Sequence, residues 1–145
     1  MGSASARPER VVLDTNVLAS ALAFGGVPQV VLGLGRAGEF DVYSSPFILG
    51  ELSGVLASRK FRWERGEIEG ALRELRSFIT VIEPPTGVVS ITADIQDNRI
   101  LECGLAASAA VIITGNMKHI RPLGSFQGIA ILTPREFIDR FFPAL

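Results

Sequence analysis

At 145 residues, with 48% hydrophobic and 20% charged positions, the chain has the size of one compact domain and enough apolar material for a real core. Its 14 basic and 15 acidic residues leave a net charge of -1, which excludes a general polycation strategy of nucleic-acid binding and makes any such contact local. The single cysteine, Cys103, excludes an internal disulfide and a thiolate metal cluster, and is expected to be buried and inert.

Residues 1–10, MGSASARPER, lack the apolar core of a secretory signal and read as a flexible tail, followed by a single domain over 11–145. The most apolar stretch, Val17 to Leu34, is broken by Gly25, Gly26 and Pro28 before it reaches the roughly 18 uninterrupted apolar residues of a membrane span. No membrane association is expected, and a cytoplasmic location follows by default.

Val11-Val12-Leu13 is a β-branched run ending at Asp14, and the spacing of Val17, Leu18, Ala21 and Leu22 after it suits a helix. A second helix is expected from Pro28 through Leu34, then a strand at Asp41-Val42-Tyr43-Ser44. Ser45 and Pro46 open the helix Phe47 to Ala57, a hydroxyl at the cap and a proline in the first turn. Ile68, Leu72, Leu75 and Phe78 mark a helix within Glu64 to Phe78, and Thr80-Val81-Ile82 reads as a strand that Pro84-Pro85 halts. Helical spacing returns from Asp97 to Ser108, followed by strands at Val111 to Thr114 and Ile129 to Leu132. The last helix begins near Thr133-Pro134 and presents Phe137, Phe141 and Phe142 to the core. Strands separated by helical stretches imply a parallel sheet with both faces covered, so the expected fold is α/β: a three-layer α/β/α sandwich around about five parallel strands. Ligands of such sheets gather beyond the carboxyl ends of the strands.

Asp14 stands at such an end, immediately before Thr15 and Asn16, where it can serve as a metal ligand or as a helix cap. Glu51 falls among Ile48, Leu52 and Val55 on or beside the inward stripe of its helix. A carboxylate there needs either a cation or an arginine partner. Asp97 shares a face with Leu101 and Gly104 and is phased to aim inward, with Asp94 as the competing cap. Glu102 lies well around the helix, within reach of Arg99, and reads as structural. Thr114-Gly115-Asn116 ends the fourth strand with a hydroxyl, a flexible backbone and an amide, which also describes an ordinary turn.

Asp14, Glu51, Asp97 and Asn116 thus come from separate segments to positions that a parallel sheet brings to one rim, and this ordered set resembles the PIN domain. The likeness is nearest to the VapC-like ribonucleases, the toxins of bacterial and archaeal toxin–antitoxin systems. VVLDTNVLASAL is similar to the family's opening and SSPFILGELSGVL to its glutamate helix. DNRILECGLAASAAVIITGN is similar to the third acidic segment and following strand, and LTPREFI to the subgroup's close. The resemblance runs from Val11 to Phe141. Asn116 departs from it where many members carry a fourth aspartate, as does Ala109-Ala110, where the subgroup often has a Gly-Ala-Asp run.

The resemblance implies hydrolysis of RNA with Mg²⁺ or Mn²⁺ held by Asp14, Glu51 and Asp97, since hard cations prefer oxygen ligands. Asn116 would offer a carbonyl oxygen or orient a water, with Thr15, Asn16 and Thr114 in support. It also implies a homodimer and a small antitoxin protein that covers the acidic rim. Arg59, Lys60 and Arg62, interleaved with Phe61 and Trp63, are candidate RNA contacts, as are Lys118 and His119 just past the rim. An ordinary charged loop and ordinary surface residues are the competing descriptions. The same carboxylates would also serve a structure-specific DNA nuclease, and Asn116 makes a catalytically silent PIN-like binding or regulatory subunit conceivable.

Overall fold

Val11, Val12 and Leu13 point alternately to opposite faces of their strand, and all three are buried, so the sheet they enter is covered on both sides. The computed structural model describes residues 6–145, in the order β1 (Arg10–Leu13), α1 (Thr15–Ala23), α2 (Gly26–Arg36), β2 (Asp41–Ser44), α3 (Pro46–Ala57) and α4 (Arg65–Arg76). β3 (Ile79–Val81), α5 (Ile95–Ala106), β4 (Val111–Ile113), a 3₁₀ turn (Arg121–Leu123), β5 (Ser125–Phe126), β6 (Ile129–Leu132) and α6 (Pro134–Phe141) complete it.

The strands lie in the order β3-β2-β1-β4-β6-β5. All neighbours are parallel except β5 and β6. The chain winds outward from β1 through β2 to β3, then returns to the other side of β1 with β4. This reversal puts a crevice between β1 and β4 at their carboxyl ends. The expected five parallel strands are therefore joined by a sixth, antiparallel one. β5 has only two residues, too few for a periodic signal, and turns into β6 through Gln127 and Gly128, both at positive φ (48° and 83°). Two positive-φ residues are what a tight primed hairpin turn requires, but Gln-Gly is a weaker marker of it than Asn-Gly.

Several boundaries differ from expectation. β3 lies one residue earlier, α2 starts at Gly26 rather than Pro28, β4 stops at Ile113 rather than Thr114, and α5 ends at Ala106 rather than Ser108 and starts at Ile95 because Asp94 is its cap, accepting from the Gln96 N–H at 2.8 Å. Residues 1–5 of the expected tail lie outside the described residues. Beyond them, Arg7 pairs with Glu39 at 2.5 Å and sits 4.5 Å from the Phe142 ring, Pro8 is buried, and Arg10 already belongs to β1.

α5 lies across β1, β2 and β4. Gly104 permits the approach, since a Cβ there would stand 2.7 Å from Ile112 Cδ1. At the opposite end α6 delivers Phe137 onto Phe40, with ring centroids 5.3 Å apart. Among the described residues no single helix is long and apolar enough to cross a membrane. α1 and α2 reach that length only as a pair bent by 100°, and Val17, Leu18, Val31 and Leu32 on them are buried in the core.

Candidate functional site

Leu13 and Ile113 are register partners on β1 and β4, so the next residues, Asp14 and Thr114, leave the sheet side by side. Asp14 is only 4% exposed. Its Oδ1 accepts from the Val17 N–H at 2.9 Å, which caps α1, and its Oδ2 accepts from the Thr114 hydroxyl. That hydroxyl oxygen itself accepts from the Asn116 N–H at 2.9 Å, which turns its proton towards Asp14. The capping description of Asp14 is thus correct, and it does not remove the residue from the rim: one side chain starts the helix and faces the crevice.

Glu51, half-buried on α3, accepts from Thr15 Oγ1 at 3.2 Å. The arginine partner that would make it structural is not among its contacts in the described residues. Asp97, in the first turn of α5, is 7% exposed, and its Oδ1 accepts from Asn116 Nδ2 at 3.0 Å. Its Oδ2 is buried with no hydrogen-bond partner. Asn116 Oδ1 is engaged elsewhere, accepting from the backbone N–H groups of Lys118 (3.1 Å) and His119 (2.9 Å). The amide therefore faces Asp97 with its donor end.

Asp14, Glu51, Asp97 and Asn116 line one cleft of about 90 Å³, together with Thr15 and Asn16. Among the described residues no basic side chain lines it. All three carboxyls are held above their ordinary values, in each case first by burial. The Asp97 charge raises Asp14 further, while the Thr114 hydroxyl and Val17 N–H work against the shift. Glu51 is raised also by Asp94, Asp97 and Asp14, and Asp97 by Asp94, with His119 and Asn116 opposing.

An orphaned buried carboxylate oxygen beside two further uncompensated carboxyls is a donor set suited to a hard divalent cation. Among the described residues no three Asp, Glu, His or Cys side chains already converge on one point as direct ligands.

Asp94 acts on the site beyond its capping of α5: its charge raises both Glu51 and Asp97. A charged residue three positions before an inward Asp was the available signal. Lys118 and His119 are exposed at the edge of the cleft, near enough for His119 to act on Asp97. Arg59, Lys60 and Arg62 are exposed on the α3–α4 connection and do not line the cleft. Glu102 is structural: it is 1% exposed, pairs with Arg99 at 2.7 Å and accepts from the Val89 N–H at 3.0 Å. Burial pushes the Cys103 thiol up to about 12, so it stays protonated.

The sequence matches the PIN domain family over residues 10–118. No curated protein matches the chain. Among solved structures, the crystal structure of VapBC2 from Rickettsia felis bound to a DNA fragment from their promoter is similar with a TM-score of 0.58 and 18% identity. The likeness covers 84% of this chain and 96% of that one. At that identity it is a likeness of fold.

Proposed function

The chain belongs to the PIN domain family, and from that premise we propose that it is a divalent-cation-dependent endoribonuclease, the toxin of a toxin–antitoxin pair. The observation that carries the reading is Asp97 Oδ2, buried without a partner in a cleft whose other charged lining is Asp14 and Glu51. A buried carboxylate oxygen left unpaired costs free energy that a cation would recover.

Asp14, Glu51 and Asp97 would hold Mg²⁺ or Mn²⁺. When bound, such a cation lowers the pKa of water and offsets negative charge developing on the phosphate. The chain's own side chains fix the geometry around it. Thr114 and the α1 N-terminus hold Asp14 in one orientation, Thr15 steadies Glu51, and Asn116 fixes Asp97 so that its second oxygen faces inward. Lys118 and His119, exposed at the edge, would meet the phosphates of RNA, and Arg59, Lys60 and Arg62 a more distant part of the strand. The toxin role, a small antitoxin protein as partner and a homodimer follow from the resemblance to VapC-like ribonucleases. The Rickettsia felis neighbour, named as a VapBC2 complex, agrees with it.

The test is cleavage of labelled single-stranded RNA by the purified chain with Mn²⁺, Mg²⁺ or EDTA, beside Asp14→Asn and beside a DNA oligonucleotide of matched sequence. Metal-dependent cleavage of RNA that Asp14→Asn abolishes is expected. Preference for the DNA would make the protein a DNA nuclease instead. Absence of both cleavage and Mn²⁺ binding would make it a silent binding subunit.

A further inference from the structure

Phe24, the residue that ends α1, is 66% exposed. Its ring stands 5.3 Å from that of Phe61, on the α3–α4 connection, and Lys60 Nζ lies 5.9 Å from the first ring centroid and 5.5 Å from the second. Arg59 and Arg62 are exposed on the same turn, and among the described residues neither they nor Lys60 has an acidic partner.

The turn is built rather than loose. The Arg62 and Trp63 N–H groups close back on the Ser58 and Leu56 carbonyls at 2.7 and 2.8 Å, and Arg62 takes a φ of 56°. Glycine enters that region without steric cost, so the position gives up backbone ease and gains a guanidinium.

α1 and α3 run side by side from the acidic cleft to this patch. Thr15 contacts Glu51 at one end and Phe24 contacts Phe61 at the other, about 14 Å further along α1 at 1.5 Å per residue. A few nucleotides of extended strand span that length.

We infer that Phe24 and Phe61, ringed by Arg59, Lys60 and Arg62, form a stacking platform for a base of single-stranded RNA whose scissile phosphate lies in the acidic cleft. The inference rests on the nuclease reading above and adds a subsite to it. Aromatic faces accept any base, and the surrounding cations take the adjoining phosphates, so the platform supplies affinity without sequence readout. The local cluster of three cations is what a chain of net charge -1 needs in order to meet a polyanion at one place.

The experiment is anisotropy of a labelled single-stranded RNA decanucleotide of mixed sequence, titrated with the full chain carrying Asp14→Asn so that the probe survives. Phe24→Leu keeps the apolar surface and removes the ring, so it is expected to weaken binding roughly 5- to 150-fold, with Phe24→Trp restoring it. Arg62→Gly is expected to flatten the dependence of log affinity on log salt by about 0.7. Unchanged affinity in Phe24→Leu overturns the platform, and if that variant instead changes the oligomeric state in light scattering, the face is a protein interface. No binding by the parent also overturns it. Cleavage by the wild-type chain is scored separately: a ring-dependent affinity without cleavage keeps the platform and removes the nuclease reading, and cleavage with ring-independent affinity does the reverse.

Discussion

Asn116 donates its side-chain amide to Asp97 at 3.0 Å while its own carbonyl oxygen is occupied by the N–H groups of Lys118 and His119. At the position where the resemblance implies a fourth carboxylate, the amide thus works as a donor to one oxygen of Asp97. Asn116→Asp would keep both backbone acceptor contacts, lose the donor and set a second carboxylate against Asp97. In EDTA it is expected to lower stability by about 1–3 kcal/mol, the cost of a buried group losing its partner. Mn²⁺ should then raise its melting temperature more than it raises that of the wild type. Equal melting curves in EDTA would show that the amide contributes nothing to Asp97.

Thr114 is fully buried and joins Asp14 to Asn116 through one hydroxyl, which donates to the first and accepts from the second. Thr114→Val preserves shape and removes both bonds, leaving the buried Asp14 Oδ2 and the part-buried Asn116 N–H short of partners, and is expected to cost about 2–4 kcal/mol in urea denaturation. Thr114→Ser retains the hydroxyl, so it should recover most of the RNA cleavage that the valine variant loses. Equal cleavage in the two variants would remove the hydroxyl from the site's construction.

The parts of this arrangement visible in the sequence are those governed by local period. The Val11–Leu13 and Val111–Ile113 runs announce strands because both of their faces are buried, and the phase shared by Asp97, Leu101 and Gly104 aims the carboxyl inward. The adjacency of Asp14 and Thr114 is not visible, because it depends on β4 returning to the side of β1 away from β2, a matter of topology between residues a hundred positions apart. Nor is the orientation of the Asn116 amide, which two backbone N–H groups of the following turn decide. The start of α5 precedes the expected Asp97 for a local reason: Ile95, its first residue, is 64% exposed and breaks the apolar phase by which a helix is recognised. Spacing alone puts Glu102 within reach of Arg99 as a structural partner but does not show its burial. It is buried because the non-periodic stretch between β3 and α5 folds over it, with Val89 as its contact.

That covering predicts its own weakness. Glu102 holds the stretch through Val89 at 3.0 Å and balances Arg99 at 2.7 Å, so Glu102→Ala removes an acceptor and leaves a mostly buried guanidinium uncompensated. A loss of about 3–5 kcal/mol is expected, with Val89 amide exchange quickened beyond that of the core strands. Glu102→Gln keeps an acceptor for Val89 and should protect that amide even though Arg99 loses its counter-charge. Unaltered exchange at Val89 in the alanine variant would mean that the segment is held by other contacts, such as those of Asn98 with Thr92.

The pH dependence of stability follows from the same buried carboxyls. Asp14, Glu51 and Asp97 are raised above ordinary values of 3.8, 4.5 and 3.8, mainly by burial. A carboxyl with a raised folded-state pKa binds its proton more tightly folded than unfolded, so its stabilising contribution is present at low pH and is lost as pH climbs through the folded value. Glu136 has the opposite sign. Its hydrogen bonds from Arg121 hold it down at about 2, so its contribution is present above 4.5 and lost as pH falls from 4.5 towards about 2. In EDTA the wild-type chain should therefore lose stability relative to Asp97→Asn as pH rises from the ordinary carboxylate range towards neutral. Comparing the two chains cancels the shared carboxylates outside the cleft, while Asp14 and Glu51, which the Asp97 charge raises, are relieved of that part of their shift in Asp97→Asn and add to the difference in the same direction. Mg²⁺ or Mn²⁺ favours the ionised forms, so adding it should shrink that difference or invert it. Melting curves of both chains across this range, with EDTA and then with Mn²⁺, measure the effect. A difference that stays constant with pH and ignores the metal would mean that Asp97 is neither strained by its burial nor poised for a cation.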